Sequence, residues 1–375
     1  MSEKIVITGG TGFVGTHLIL ELLEQSDAEL FCLVRAKNTS AEQRLHQQLA
    51  HVIQGSGYAL ELINQVKKRC HAIAADLQGD ITSLATSIPS GVSQFWHCAA
   101  SLNYEERFAA EIYDINVEGT RKALALARAL NVDCLNYVST AYVAGRNTGV
   151  ILESTMTEVQ SSNVYESSKV KAEQLIYAQQ DMKYRIFRPS IVIGHSHTYQ
   201  AINFSGMYGF LRRLIQFKGM MARVQRGYLE RESIRMNVDP DVPINLVPVD
   251  KVAKQAIAIA RSDSNDTIFH LTNRTVPTVG EALKVLFSIV GLPPPKIVQD
   301  TTQYAWIDEK FNEKIEFYKS YLTGYKQFDR SASNAALGEH FNTARYAVTT
   351  NNLNEYCGWY CAQLTKTRSQ VPVSR

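Results

Sequence analysis

A glycine-rich turn lies between an apolar run and an amphipathic run near the start of this 375-residue chain. The apolar run is KIVIT at residues 4–8, and THLILELLEQ at residues 16–25 has apolar residues at helical spacing. Between them stand Gly9, Gly12 and Gly15. In a strand–turn–helix context, such glycines permit the tight turn, approach of the backbone to a pyrophosphate, and close packing of the helix. The helix N-terminus would supply free amides to the phosphates. The sequence therefore predicts a parallel α/β sheet that binds a dinucleotide.

The second predicted strand, ELFCLVR, ends at Arg35 where an NAD-binding protein would carry an acidic residue. An arginine there accommodates a 2′-phosphate, and Arg44 is close enough in sequence to assist. Asp76 follows the third predicted strand, CHAIAADL, and is expected to approach the adenine. The pattern favours NADPH as the cofactor. The alternative, that Arg35 is simply a solvated strand end, stays open.

A second motif, VYESSKVKAE, places Tyr165 and Lys169 four residues apart, on one face of a predicted helix. A cation beside a phenol lowers the pKa of the tyrosine from its ordinary value of about 10. Such a tyrosine is a general acid or base for carbonyl reduction or alcohol oxidation. The fifth predicted strand, within CLNYVSTAYVAG, ends in Ser139 and Thr140, and a hydroxyl there can hydrogen-bond a substrate carbonyl.

Taken together, these motifs resemble the extended short-chain dehydrogenase/reductase family over residues 1–275. The resemblance implies a Rossmann-type doubly wound parallel sheet with a smaller, mainly helical substrate-binding portion. It implies catalytic roles for Thr140, Tyr165 and Lys169, with Ser139 as the alternative to Thr140. The cofactor-binding residues it implies are Gly9, Thr11, Gly12, Phe13, Val14, Gly15, Arg35, Arg44, Asp76, Leu77, Ala99, Asn116, Tyr165, Lys169 and Pro189.

Three segments narrow the resemblance to the thioester reductase and fatty acyl-CoA reductase branch, which has a male-sterility-type NAD-binding domain. These are FCLVRA with the downstream Arg44, NYVSTAYVAG, and FRPSIVIG, and residues 321–337 resemble a later segment of fatty acyl-CoA reductases. The branch reduces an acyl thioester of coenzyme A or a carrier protein with NADPH to an aldehyde, and sometimes onward to an alcohol. One alternative is another extended-family dehydrogenase, epimerase or reductase acting on a nucleotide sugar or on a sterol-like or flavonoid-like compound. Another is a dinucleotide-binding protein without catalysis.

The order of the predicted elements suggests two interleaved portions. Residues 1–195 form the predicted NADP-binding Rossmann domain, to which residues 240–275 return. Residues 196–239 and 276–365 form the predicted substrate-binding portion, and residues 366–375 a flexible tail.

Composition excludes several classes of protein. The net charge of +3 gives no case for nucleic acid binding, and no apolar run reaches the ~18–20 residues of a membrane span. The chain enters a strand directly, without the pattern of a signal peptide, and its six cysteines are expected in packing roles. We therefore expect a cytoplasmic protein without a metal site, and the oligomeric state stays open.

Two further features leave alternatives open. Residues 207–227 are apolar and basic together, which suits an acyl thioester with a polyanionic end, a peripheral contact with a membrane surface, or a core helix with a solvated basic face. His195 and His197 are two residues apart without a nearby acidic third ligand. We expect them to be loop residues with a structural or substrate-contact role.

Overall fold

The computed structural model describes residues 2–340 and 346–369. Its strands are β1 Lys4–Thr8, β2 Glu29–Val34, β3 Cys70–Ala74, β4 Gln94–His97, β5 Cys134–Val138, β6 Gly149–Ile151, β7 Lys183–Pro189, β8 Ile191–Ile193, β9 Arg235–Met236, β10 Leu246–Pro248, β11 Ile268–Leu271, β12 Lys296–Ile297 and β13 Lys326–Phe328. Its α-helices are α1 Phe13–Gln25, α2 Ala41–Ser56, α3 Leu62–Arg69, α4 Ala109–Tyr113, α5 Gly119–Ala129, α6 Val164–Tyr177, α7 Met207–Val224, α8 Tyr228–Arg231, α9 Val249–Ala260, α10 Val279–Ile289, α11 Trp306–Ile315, α12 Lys319–Leu322, α13 Ser331–Leu337 and α14 Thr350–Ser369.

Seven of these strands form one parallel sheet in the order β11-β7-β5-β4-β1-β2-β3. The strand order reverses at β1, which pairs with β2 on one side and with β4 on the other. Thr8 at the end of β1 lies opposite His97 at the end of β4. Ligands of open parallel sheets bind in the crevice at such a switch point, beyond the carboxyl ends of the strands. The glycine-rich turn leaves β1 at this edge.

Both faces of the sheet are buried, which explains why its strands are nearly continuous apolar runs. Along β1, Ile5 and Ile7 belong to a core that also contains Leu18 of α1. Val6 points to the opposite core, which contains Leu124 of α5 and Ile176 of α6. Helices therefore cover both faces, and the predicted doubly wound Rossmann-type sheet is confirmed.

A third hydrophobic core lies outside the sheet and is built mainly from helices. Its buried members include Phe210 of α7, Leu283 of α10, Phe311 of α11 and Tyr356 of α14. These helices form the smaller, mainly helical portion that was predicted. The exact domain boundaries stay a prediction. Within the predicted tail, residues 366–369 continue α14, and residues 370–375 lie outside the described residues.

The sixth predicted strand, residues 184–194, is divided between two sheets. Strand β7 ends at Pro189 in the main sheet, and β8 pairs instead with β10. Ser190 still donates its backbone N–H to Leu271 of β11, whereas Ile191 donates to Asn245 before β10. The chain thus changes partners at Ser190. Pro189 is therefore the last residue of this segment in the main sheet, at the carboxyl end of β7.

Candidate active site

The glycine-rich turn is as compact as its sequence predicts. Gly9 has φ +73°, a conformation that favours glycine, and Gly12 donates its N–H to the Gly9 carbonyl at 2.8 Å. A Cβ atom on Gly9 would lie 2.5 Å from the backbone nitrogen of Ala99, and one on Gly15 would lie 2.2 Å from the Gly9 carbonyl oxygen. The turn therefore packs against both the residues after β4 and the first turn of α1. Thr11 lies within the turn itself.

A cavity of about 340 Å³ opens at the carboxyl edge of the sheet, between the sheet and the helical portion. Many of the residues predicted for catalysis and cofactor binding line it together: Gly12, Phe13, Val14, Gly15, Thr140, Tyr165, Lys169 and Pro189. The opposite wall is apolar and includes Met207, Phe210, Leu283, Leu286, Leu322 and Leu353. One chamber thus joins the glycine-rich turn, the tyrosine–lysine pair and the core of the helical portion.

Two hydroxyl groups line the cavity after β5. The Thr140 hydroxyl oxygen accepts the backbone N–H of Tyr142 at 3.2 Å, which caps the short helical turn Ala141–Ala144. Because that bond uses the oxygen as an acceptor, the hydroxyl proton is available to a group in the cavity. The neighbouring Ser139 hydroxyl is buried without a hydrogen-bond partner among the described residues. Both the preferred Thr140 and the alternative Ser139 therefore adjoin the same space.

Lys169 is held at the base of the cavity. Its side chain is buried, its ammonium nitrogen donates to the Val138 carbonyl at 2.9 Å, and it lies 4.2 Å from the centre of the Tyr137 ring. Lys169 belongs to α6, and this helix is capped at its N-terminus, where the side chain of Asn163 accepts the N–H of Glu166 at 2.9 Å. Burial lowers the pKa of Lys169 to about 7. The lysine can therefore change its charge near neutral pH.

The expectation that Lys169 lowers the pKa of Tyr165 is wrong for this structure. Burial raises the pKa of the Tyr165 phenol, and the carboxylate of Glu166 raises it further. Both effects disfavour the phenolate, since it would be a charge in a poorly solvated place and beside a like charge. A phenol that keeps its proton is suited to donating it.

The residues predicted for the adenosine end lie together outside the cavity. Arg35 follows β2 and Asp76 follows the adjacent β3, with 3.9 Å between guanidinium nitrogen and carboxylate oxygen. Arg44 donates to the Arg35 carbonyl at 2.5 Å. The Leu77 carbonyl accepts the ammonium group of Lys122 at 3.0 Å. Arg35 and Asp76 are nearly half exposed, so a ligand can reach them.

Ala99 and Asn116 make hydrogen bonds that hold neighbouring segments in place. The Ala99 N–H donates to the Thr8 hydroxyl at 3.3 Å. The Asn116 amide oxygen accepts the N–H of Ser101 at 2.7 Å, and its nitrogen donates to the Ser101 carbonyl at 3.1 Å and the Ser168 hydroxyl at 2.8 Å. Asn116 lies in a π-helical turn, Asp114–Glu118, that precedes α5. Its side chain thus ties the loop after β4 to α6, beside Lys169.

His195 and His197 do not line the cavity. His195 packs with its ring centre 6.0 Å from that of His17 on α1, and burial lowers its pKa. Between them in sequence, Ser196 donates its N–H and hydroxyl to Asp250 at 2.8 and 2.7 Å. The described residues contain no group of three histidine, cysteine or acidic side chains able to hold a metal ion. These contacts are structural: His195 packs against helix α1, outside the cavity.

Helix α7 corresponds to the core helix among the alternatives for residues 207–227. Its apolar residues Leu211, Leu214 and Phe217 are fully buried in the helical core, whereas Arg212 is exposed. Because its apolar face is packed inside the protein, that face is not available to a membrane surface. Among the described helices, none combines the length and hydrophobicity needed to span a bilayer.

Part of the cavity wall was not foreseen from the sequence. Tyr104, from the loop after β4, stacks on Phe317, with the rings tilted by 13°, and its hydroxyl accepts a hydrogen bond from Arg213 at 3.3 Å. Both rings line the cavity, as do Tyr318 and Tyr321. No local motif marks Tyr104, Phe317 or Tyr318, because the segments that carry them meet only in the folded chain.

The residues present fit a bound dinucleotide. Gly12 and Gly15 of the glycine-rich turn line the cavity, and the hydroxyls of Ser139 and Ser190 are buried there without partners among the described residues. Lys169 adds a cation at the same wall. A nicotinamide dinucleotide lying along the carboxyl edge of the sheet would meet these groups in turn.

Comparison with known proteins identifies relatives of this chain. The chain is 33% identical over 147 residues to the isonitrile lipopeptide synthase of Streptomyces coeruleorubidus, covering 38% of this chain and 10% of that protein. It is 29% identical over 294 residues to the nonribosomal peptide synthetase asaC of Aspergillus flavus, covering 72% of this chain and 26% of that protein. The chain thus spans only a small part of the length of these relatives.

A solved structure shares the fold. The terminal R domain from the myxalamid PKS-NRPS biosynthetic pathway superimposes with a TM-score of 0.72 at 21% identity, covering 97% of this chain and 92% of that one. The model of the male sterility protein family, an NAD-binding domain, matches residues 7–256, which is more than half of the chain. The predicted resemblance is confirmed, and this chain belongs to the male sterility protein family of NAD(P)-binding oxidoreductases.

Proposed function

We propose that this protein reduces an acyl thioester to an aldehyde with NADPH. The observation that carries the proposal is the single cavity that joins the glycine-rich turn, the Thr140, Tyr165 and Lys169 side chains, and an apolar chamber able to receive an acyl group. The motif resemblance to thioester reductases, and the similarity to a terminal R domain, support the same reaction class.

The chemistry can be assigned to the residues of the cavity. Bound NADPH would supply the hydride, and Lys169 would hold its ribose. As the hydride reaches the thioester carbon, negative charge grows on the carbonyl oxygen, and Thr140 and Tyr165 donate hydrogen bonds to it. Tyr165 then gives its proton to that oxygen, forming a hemithioacetal. When the carbon–sulfur bond breaks, the hydroxyl proton returns to the Tyr165 phenolate, the thiolate takes a proton from solvent and leaves as the thiol, and the aldehyde remains.

The substrate class can be tested directly. We expect NADPH oxidation with acyl thioesters of coenzyme A or pantetheine and none with ketones, sterols, flavonoids or nucleotide sugars offered at the same concentration. Trapping the product with a hydrazine and identifying it by mass spectrometry checks that it is an aldehyde. Turnover confined to a ketone or a nucleotide sugar would place the protein with the other extended-family enzymes instead. A cytoplasmic location is part of the proposal, and the free state of all six cysteines supports it.

The preference for NADPH over NADH is proposed from Arg35. Its guanidinium is about half exposed and has only a 3.9 Å contact with Asp76, so it is available to a 2′-phosphate. We expect Arg35→Asp to weaken NADPH binding by about ten- to a hundredfold and to leave NADH binding nearly unchanged, since only NADPH loses a charge-assisted contact.

Titrating nicotinamide fluorescence with each cofactor measures this change. Lys284→Asp, which makes the same charge change at an exposed position of α10, is the control and should preserve the preference. An unaltered NADPH preference in Arg35→Asp would contradict the assignment of Arg35.

A further inference from the structure

A buried ion pair lies directly behind the candidate active site. Arg188 of β7 and Glu173 of α6 have no exposed side-chain surface. The Arg188 Nε and Nη2 atoms donate to the two Glu173 carboxylate oxygens at 3.0 and 2.6 Å. Arg188 also donates to the Ser154 carbonyl at 2.9 Å, and the Tyr177 hydroxyl donates to Glu173. A bidentate pair with these additional bonds keeps both groups charged although they are buried.

The pair is connected to the cavity through both of its elements. Glu173 follows Lys169 by four residues on α6, so the two side chains share a helix face that also carries Tyr165. Arg188 immediately precedes Pro189 and Ser190, which line the cavity. The carboxylate of Glu173 is one of the groups that raise the pKa of Lys169 against the larger effect of burial.

The other titratable groups that face Lys169 are neutral near pH 7. Burial lowers the pKa of His97 to about 3 and raises that of Cys98 to about 12. Burial also raises the pKa values of Tyr137 and Tyr165. These four groups come from the elements packed against the lysine: β4, the residue after β4, β5 and α6 itself. Among these neighbours, Glu173 is therefore the one that brings a negative charge toward Lys169.

We propose that the buried Glu173–Arg188 pair helps Lys169 to keep its ammonium form up to neutral pH, and that Glu173 is thereby a positioning residue for the active site. The proposal rests on the proposed function for its catalytic consequence. Lys169 is expected to hold NADPH beside the reacting groups only while it carries its positive charge. Arg188 limits how strongly Glu173 attracts the proton of Lys169, so the pair sets the pH above which the lysine loses its charge.

The pH dependence that follows has a definite sign. Lys169 carries its charge below its pKa of about 7 and loses it as the pH rises. NADPH affinity and kcat/KM should therefore both fall as the pH rises, and this fall is the basic limb of each pH profile. In Glu173→Gln, this basic limb should move down by about one pH unit or more, because an opposite charge has been removed and Arg188 is left unpaired. In the double variant Glu173→Gln/Arg188→Met, which removes both charges, the limb should lie between those of the single variant and the unchanged protein.

The experiment measures the NADPH dissociation constant by nicotinamide fluorescence between about pH 5 and pH 9, and kcat/KM with an acyl-CoA over the same range. The matched control is Glu153→Gln. Glu153 is a partly buried carboxylate whose contacts are with His270, Ala332 and Ser333 rather than with the active site. A loss of packing alone would lower stability in both variants without moving the basic limb.

The proposal is overturned if the limb stays in place in Glu173→Gln, or if Glu153→Gln moves it equally. If Glu173→Gln does not fold because Arg188 is unpaired, the double variant supplies the same test, and a limb coinciding with that of the unchanged protein overturns the proposal. NADPH binding requires no turnover. A protein that shows the predicted shift in binding but reduces no thioester would therefore contradict the proposed function and leave the role of Glu173 supported.

Discussion

Tyr165→Phe is expected to lower turnover by about 10²- to 10⁴-fold, the contribution of a positioned general acid, while NADPH still binds. The phenol is the donor whose proton is retained by burial and by the neighbouring Glu166, and phenylalanine keeps the ring but cannot donate. Steady-state rates with a thioester substrate, together with NADPH titrations, separate the loss of chemistry from a loss of binding.

Tyr113→Phe is the matched control for this change. The Tyr113 hydroxyl lies 2.9 Å from that of Ser167 on α6, so its removal perturbs the same helix without touching the cavity. We expect the control to keep nearly full activity. Turnover that survives in Tyr165→Phe would show that another group, with Thr140 and Ser139 the nearest alternatives, gives the proton.

Gly15→Ala is expected to destabilise the protein by about 1–3 kcal/mol and to weaken NADPH binding by about ten- to a hundredfold. The added Cβ atom would lie 2.2 Å from the Gly9 carbonyl oxygen, which is backbone and cannot rotate away. The turn must therefore open, and its amides then no longer point at the phosphates. Urea unfolding and NADPH titration measure the two effects.

The same change from glycine to alanine at Gly219 is expected to have the opposite effect on stability. Gly219 lies within α7, and a Cβ atom there would meet nothing within 4 Å. Alanine should therefore stabilise the helix by about 0.5–1 kcal/mol. If Gly15→Ala behaves like Gly219→Ala and retains NADPH affinity, the tight packing of the glycine-rich turn is not required for binding.

The fold could be predicted where local sequence and tertiary structure agree. Strand β1 is the KIVIT run itself, because a strand buried on both faces must be apolar throughout. At the start of α10, Thr278 and Glu281 form a capping box, a local pattern that can be read directly from the sequence. The short parallel pairs β6–β13 and β9–β12 were not predicted, since each consists of two or three residues that pair across a long sequence separation.

The candidate site was predictable only as far as its motifs extend. The spacing of Tyr165 and Lys169 predicted one shared helix face, and both side chains line one cavity, but their electrostatic surroundings did not follow from the spacing. The pKa of Tyr165 depends on its burial and on the charge of Glu166, and neither effect is a matter of spacing. The aromatic wall of Tyr104 and Phe317 is likewise a product of tertiary packing between distant segments.

The most direct test of the proposed reaction is the ratio of free thiol released to NADPH consumed, measured during reduction of a series of acyl-CoA thioesters. Our account predicts that thiol appears in step with NADPH oxidation, at one thiol per NADPH for an aldehyde product and one thiol per two NADPH if the aldehyde is reduced further. NADPH oxidation without thiol release, with either acyl-CoA or carrier-bound thioesters, would show that the carbon–sulfur bond is not broken and would contradict the assignment as a thioester reductase.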